Sequence, residues 1–165
     1  MNTIQTILHP TDFSDSADHA FRLACSLARD HDARLVVLHV VASSAPMAGG
    51  MLVGSFSYDT LDDVDSELTD RLEAMRESHP DVPIEWRLSK GNVIDGILAA
   101  AEDVNAGLIV LGTHGRTGLT RLLMGSVAES VVRKANCSVL TVKTPVDERT
   151  AEREYEERPI AATPY

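Results

Sequence analysis

The sequence predicts an α/β protein built on one open, doubly wound parallel sheet of five strands. Three observations predict it. Apolar, strand-like runs alternate with segments of helical period along most of the chain. Two of those runs, RLVVLHVV from Arg34 to Val41 and GLIVL from Gly107 to Leu111, are almost continuously apolar, as strands covered on both faces are. A length of 165 residues fits one domain and is too short for an eight-fold barrel.

Each element has its own signal. Thr3 to His9 reads TIQTILH, a short β-branched strand that Pro10 should halt. Between Ser14 and Asp32, Ala17, Ala20, Phe21, Ala24, Leu27 and Ala28 fall at three-to-four spacing, which makes an amphipathic helix capped by Ser14 or Asp15. Arg34 to Val41 follows as the second strand. Ala42 to Ser57 breaks the pattern with Ser, Gly, Pro and Met, and reads as a loop or short lid. Tyr58 to Ser78 is an acidic helix with Leu61, Val64, Leu68, Leu72 and Met75 in one stripe; Asp59, Asp62, Asp63, Asp65 and Glu67 form its solvated face. IEWRL, within Asp81 to Lys90, is the third strand, closed by Gly91.

Asn92 opens the next helix, which buries Val93, Ile94, Ile97, Leu98 and Ala101. The fourth strand, Gly107 to Leu111, leads into GTHGRTGLTRLLMGS. Val127 to Ala135 is then helical, and Ser126 with Glu129 fits a capping box. Cys137 to Lys143, CSVLTVK, is the last strand. From Thr144 onward the chain is charged, proline-flanked and without apolar period. The expected organisation is one domain over residues 1–144 and a charged tail over 145–165.

Composition narrows the function classes. A formal net charge of −10 opposes binding to nucleic-acid backbones or anionic membranes, which needs clustered Lys and Arg. It leaves room for a small polyphosphate, which needs only a local pocket of N–H donors and one or two cations. The two cysteines, Cys25 and Cys137, have no metal or redox spacing and read as small core residues of a reducing compartment. No apolar run is long enough to span a bilayer, and the first residues lack a signal-peptide pattern. The expected location is the cytoplasm.

In open α/β sheets, ligands sit beyond the carboxyl ends of the strands, where the winding reverses. Two strand ends carry chemistry. One is His9-Pro10-Thr11-Asp12-Phe13-Ser14; the other is Leu111-Gly112-Thr113-His114-Gly115-Arg116, followed by Gly125-Ser126. If these strands are neighbours, the two loops face one crevice. Gly112 and Gly115 let backbone turn sharply and approach a ligand without a Cβ in the way. Gly125 and Ser126 open a helix, whose unpaired N–H groups and dipole favour an anion. Arg116 and Arg121 can neutralise phosphate charge. Asp12 suits a ribose hydroxyl, or a divalent cation held with the phosphates.

Blander readings stand beside these. The glycines can serve a structural turn, and Asp12 can cap the first helix in competition with Ser14. His9, His39 and His114 all lie near strand ends, but their spacing matches no compact metal motif. The glycine segment is neither GxxxxGK[ST] nor GxGxxG.

The two segments together resemble the universal stress protein family. Its ATP-binding members carry G-x2-G-x9-G-[ST] after the fourth strand, matched here by Gly112, Gly115, Gly125 and Ser126; the opening ILHPTDFSDSA is similar as well. The resemblance spans Thr3 to Lys143. It implies a Rossmann-like, adenine nucleotide alpha hydrolase-like sheet in the order 3-2-1-4-5. It implies that Pro10, Thr11 and Asp12 line the adenosine side and that Val40 offers backbone groups to adenine. Leu111, Gly112, His114 and Gly115 would line the ribose and phosphate path, with Arg116 where relatives often carry Lys. Gly125, Ser126, Val127 and Ala128 would hold phosphates. The implied ligand is ATP or another adenine nucleotide, with Mg or Mn that Asp12 reaches only indirectly through the phosphates. The implied assembly is a homodimer through Ser138 to Lys143. The implied function is that of an ATP-binding stress-response regulator. A slow ATPase or phosphotransfer enzyme, and an interaction module with a vestigial pocket, are the alternatives; no clear general base is evident.

Overall fold

The computed structural model describes residues 4–42, 66–113 and 124–143. The expected lid up to Ser57, the start of the acidic helix, Arg121 and the tail lie outside the described residues. Nine elements follow in the anticipated order: β1 (Thr6–Thr11), α1 (Asp15–His31), β2 (Arg34–Ala42), α2 (Ser66–Glu77), β3 (Ile84–Gly91), α3 (Val93–Asp103), β4 (Leu108–Gly112), α4 (Ser126–Lys134) and β5 (Ser138–Val142). The sheet order is β3-β2-β1-β4-β5, and every pair is parallel. Strands one and four are neighbours, so the winding reverses between them.

The continuous apolar runs are explained by two cores, one on each face of the sheet. On one face Leu8, Val36, Leu38, Val40, Ile109 and Leu111 pack against Ile97, Ala100, Ala101 and Val104 of α3 and its C-cap and Ala128 and Val131 of α4. On the other, Ile7, Leu35, Val37, Leu108 and Val110 pack against Ala20, Phe21, Ala24, Cys25 and Ala28 of α1. Adjacent residues of β2 thus alternate between the cores. With few aromatic side chains available, small alanines bring α1 close to the strands.

The caps on α1 follow local chemistry. The Ser14 hydroxyl accepts from the Ala17 N–H at 3.2 Å. Asp32 ends the helix at φ 51°, and its N–H reaches the carbonyls of Ala28 and Arg29.

Pro10 does not halt β1. The strand runs through it to Thr11 and stays in register with β2 as far as Thr11↔His39. Pairing with β4 instead stops after Ile7↔Leu108 and Leu8↔Ile109. Proline has no N–H to give a ladder, so it interrupts pairing without ending the strand. One residue earlier, His9 spans the gap: its Nδ1–H donates to the Val110 carbonyl at 2.9 Å. The ring is fully buried near Phe21, with centroids 5.7 Å apart, and its Nε2 has no hydrogen-bond partner among the described residues.

Burial holds the His9 pKa down, from 6.5 to about 4, against the raising effects of the Val110 bond and the Asp12 charge. The folded protein therefore keeps this ring neutral in a range where the unfolded chain protonates it. Stability from this group is complete above about pH 6.5 and declines as pH falls toward about 4. In a His9→Asn variant, which keeps a donor for Val110, the acid-side decline should shrink. The gap between the two proteins in urea denaturation should change by up to about 3 kcal/mol between pH 7 and pH 4. Parallel pH profiles for the two proteins would contradict this role.

Candidate functional site

Where β1 and β4 part, a cleft of about 240 Å³ opens at the carboxyl edge of the sheet. Pro10, Thr11 and Asp12 form one wall; Leu111, Gly112 and Thr113 form the facing wall; Gly125, Ser126, Val127 and Ala128 form the mouth. Leu38, Val40, Val93 and Ile97 make an apolar end. Ten of the thirteen residues expected at a ligand site therefore meet in one place: Pro10, Thr11, Asp12, Val40, Leu111, Gly112, Gly125, Ser126, Val127 and Ala128. His114, Gly115 and Arg116 lie outside the described residues.

The Thr11 to Ser14 turn shapes the β1 wall. The Phe13 N–H donates to Thr11 Oγ1 at 3.1 Å. Asp12 Oδ1 accepts from the Ser14 N–H at 3.1 Å and from Ser14 Oγ at 2.6 Å. Asp12 is thus not the helix cap. It orients Ser14, which is the cap, while remaining on the cleft wall. Phe13 turns through φ 60°, a left-handed backbone that an aromatic residue seldom adopts. Its ring lies 4.9 Å from the His39 ring, and the Arg71 guanidinium stands 5.7 Å over it. His39 Nδ1–H donates to the Thr11 carbonyl at 2.9 Å, so β2 and α2 both brace the turn.

Gly112 has a different reason from the one expected. A Cβ there would lie 2.4 Å from Ser16 Oγ and 2.9 Å from the Ser16 backbone. The glycine lets the first turn of α1 sit directly on the end of β4. It lines the cleft with backbone, but the space its missing side chain leaves is filled by α1 and not by a ligand.

The start of α4 also departs from expectation. The helix begins at Ser126, with Gly125 as its N-cap and no side-chain hydrogen bond at the cap, so Ser126 and Glu129 form no capping box. The Gly125 N–H donates to the Thr113 carbonyl at 2.7 Å, and the Thr113 N–H to the Val142 carbonyl at 3.0 Å. These bonds tie the helix start to the ends of β4 and β5. The N–H groups of Ser126, Val127 and Ala128 have no acceptor within the helix and sit at its positive end. An anion at the cleft mouth would meet both.

Among the described residues, His9 and His39 do not converge as a metal site. His9 is in the core on the α1 face, His39 is bonded to backbone, and no group of three or more His, Cys, Asp or Glu is placed to hold a metal among the described residues. Cys25 is buried, and desolvation pushes its thiol up to about 12 against the lowering charge of Arg29, with Asp81 adding to the rise; Cys137 is half-buried and also raised by desolvation. Both are poor nucleophiles.

The cleft also takes in Ala17, Leu38, Val93, Ile97 and Thr113. Val93 and Ile97 are legible in the sequence as the buried face of α3, because they are four residues apart. Nothing in their pattern distinguishes a core wall from a cleft wall. Thr113 carries no signal beyond lying between Gly112 and His114.

Comparison with known proteins agrees with this fold. A family profile described as "Universal stress protein family" matches residues 3–143. Universal stress protein MJ0531 of Methanocaldococcus jannaschii is 37% identical over 149 residues, covering 89% of this chain and 86% of that one. The solved structure of universal stress protein UspA from Lactobacillus plantarum is 31% identical, with a TM-score of 0.65 over 86% of this chain and 99% of that one. A universal stress protein solved in complex with cAMP is 25% identical, with a TM-score of 0.61 over 86% and 98% of the two chains. Matched along nearly all its described length and folded in the same way, this chain belongs to the universal stress protein family.

Proposed function

We propose that this protein binds an adenine nucleotide, ATP foremost, in the cleft between β1 and β4, and acts as a stress-response regulator whose state follows nucleotide occupancy. One observation carries the reading: an apolar recess and a helix N-terminus meet in a single cleft, with a carboxylate beside them. A base suits the first, phosphates the second and a ribose hydroxyl the third. A structural relative that was solved in complex with cAMP supports an adenine nucleotide as the ligand.

The end of β2 supports backbone recognition of the base. Its ladder with β1 ends at His39, whereas with β3 it continues to Ala42↔Gly91. Val40 therefore lies at the cleft beyond the last pair with β1, where its carbonyl would meet the adenine amino group. On the phosphate side, His114, Gly115 and Arg116 would complete the path. A divalent cation, Mg or Mn, would arrive with the phosphates. Asp12, the one carboxylate among the described residues that line the cleft, fits an ion held chiefly by its nucleotide and not by a protein cage. Asp12 Oδ1 already accepts two bonds from Ser14, which suits positioning more than proton abstraction.

The remaining expectations extend the proposal. We place the protein in the cytoplasm, where the thiols of Cys25 and Cys137 stay reduced, and no described helix is long and apolar enough to cross a membrane. The domain would end near residue 144, with 145–165 as an appended tail. Strand β5 is a sheet edge, and Leu140 on it is exposed. Pairing of Ser138 to Lys143 across a two-fold axis would cover that edge.

Saturating ATP should raise the Tm by about 5–10 °C, as expected for a ligand at a hundred times its Kd, and GTP should raise it much less. Gly125→Val places a branched side chain at the helix mouth. Its backbone there, φ −60° and ψ 150°, accepts any residue, so the fold should persist while ATP affinity falls at least about tenfold. Normal ATP binding by this variant in isothermal titration would refute the phosphate site.

Leu140→Asp puts a charge on the proposed pairing edge. It should convert a dimer to a monomer in sedimentation velocity without lowering the Tm of the monomeric fold. A wild-type protein that sediments as a monomer would rule the pairing out.

A further inference from the structure

Gly96 is buried in the first turn of α3, where its N–H donates to the Asn92 carbonyl at 2.9 Å. Its φ is ordinary for a helix, so no backbone strain requires glycine there. Glycine is otherwise a poor helix residue. Its reason lies in what faces it. A Cβ at this position would sit 3.2 Å from Val40 Cγ2, 3.3 Å from Val40 Cγ1 and 3.4 Å from Ser89 Oγ. The space that a side chain would occupy is taken by the two methyls of Val40.

Val40 also lines the cleft, as part of the apolar end with Leu38, Val93 and Ile97. A contact of 3.2–3.3 Å is tighter than ordinary carbon packing, so Val40 must give way if Gly96 gains a methyl. The backbone of Val40 is fixed by its register with Ser89 in β3. Val40 borders the unfilled space of the cleft, so a side chain displaced into it would narrow the apolar end.

We propose that Gly96 is a specificity-determining positioning residue of the cleft. By lacking a side chain it lets Val40 lie back against α3, and so keeps the apolar end open to the width of a purine base. Gly96 touches no ligand itself; it acts through Val40. The inference rests on the adenine-nucleotide reading above.

The test is isothermal titration of the wild type, Gly96→Ala, Val40→Ala and the double variant with ATP and with AMP. Alanine favours the helix, so the Tm of Gly96→Ala should not fall. Its affinities for ATP and AMP should both drop about fivefold, because the defect lies at the base end that the two ligands share. Adding Val40→Ala should restore both to the level of Val40→Ala alone, since the displaced methyls are then gone. Unchanged ATP affinity in Gly96→Ala, a loss for ATP without one for AMP, or failure of Val40→Ala to rescue would each overturn the proposal while leaving nucleotide binding intact. A wild type that binds neither ligand would overturn the nucleotide reading and this inference together.

Discussion

Pro10 stands inside a parallel sheet and brings no N–H to it. β1 keeps its ladder with β2 to Thr11, yet its ladder with β4 stops at Leu8↔Ile109. From that point the two central strands diverge, and the cleft is the space between them. His9 marks the same boundary from the core side. Its ring donates to Val110 and holds the strands together where main-chain pairing gives out. A buried neutral imidazole with one nitrogen unpartnered among the described residues is a stability liability in acid. It occupies the position where the sheet must change from closed to open.

The walls of the cleft follow from close approach at small residues. Gly112 admits the first turn of α1 onto the end of β4, and Gly96 admits Val40 against α3. In both cases a missing Cβ is filled by protein, not by ligand. The anion-favouring end of α4 is placed by a backbone bond, Gly125 N–H to Thr113, which anchors the helix start to the end of β4. Because Gly125 caps without a side chain, no local acceptor competes for the first-turn N–H groups at the cap. The site combines an apolar end, set by packing, with a polar mouth, set by the N–H groups that have no acceptor within α4.

Much of this was legible in the residues. Elements and their order could be read from hydrophobic period and from cap and turn residues, because both report local geometry. Ser14, Asn92 and Asp32 sit at helix ends for reasons contained in a few adjacent residues. The cleft residues could be read because glycine spacing and a strand-end carboxylate are sequence-local signals. The misreadings share a cause. Pro10 was expected to end a strand, but its effect depended on which neighbour needed the donor. Ser126 was expected to cap α4, but the bond to Thr113 starts the helix one residue earlier. For Asp12, residue type fits a ligand wall or a helix cap alike; the structure gives the cap to Ser14 and leaves Asp12 on the cleft wall.

The sequence by itself determined an α/β chain whose described elements follow a set order, an apolar interior on both sheet faces, and two strand-end segments rich in glycine and polar side chains. Those properties depend on periodicity and residue type, which neighbouring positions carry. The tertiary structure alone decided that the segments share one cleft, that β1 parts from β4 at Pro10, that Gly112 serves Ser16, and that Gly96 serves Val40. Each of these is a contact between residues distant in sequence, and its meaning depends on what fills the space on the far side.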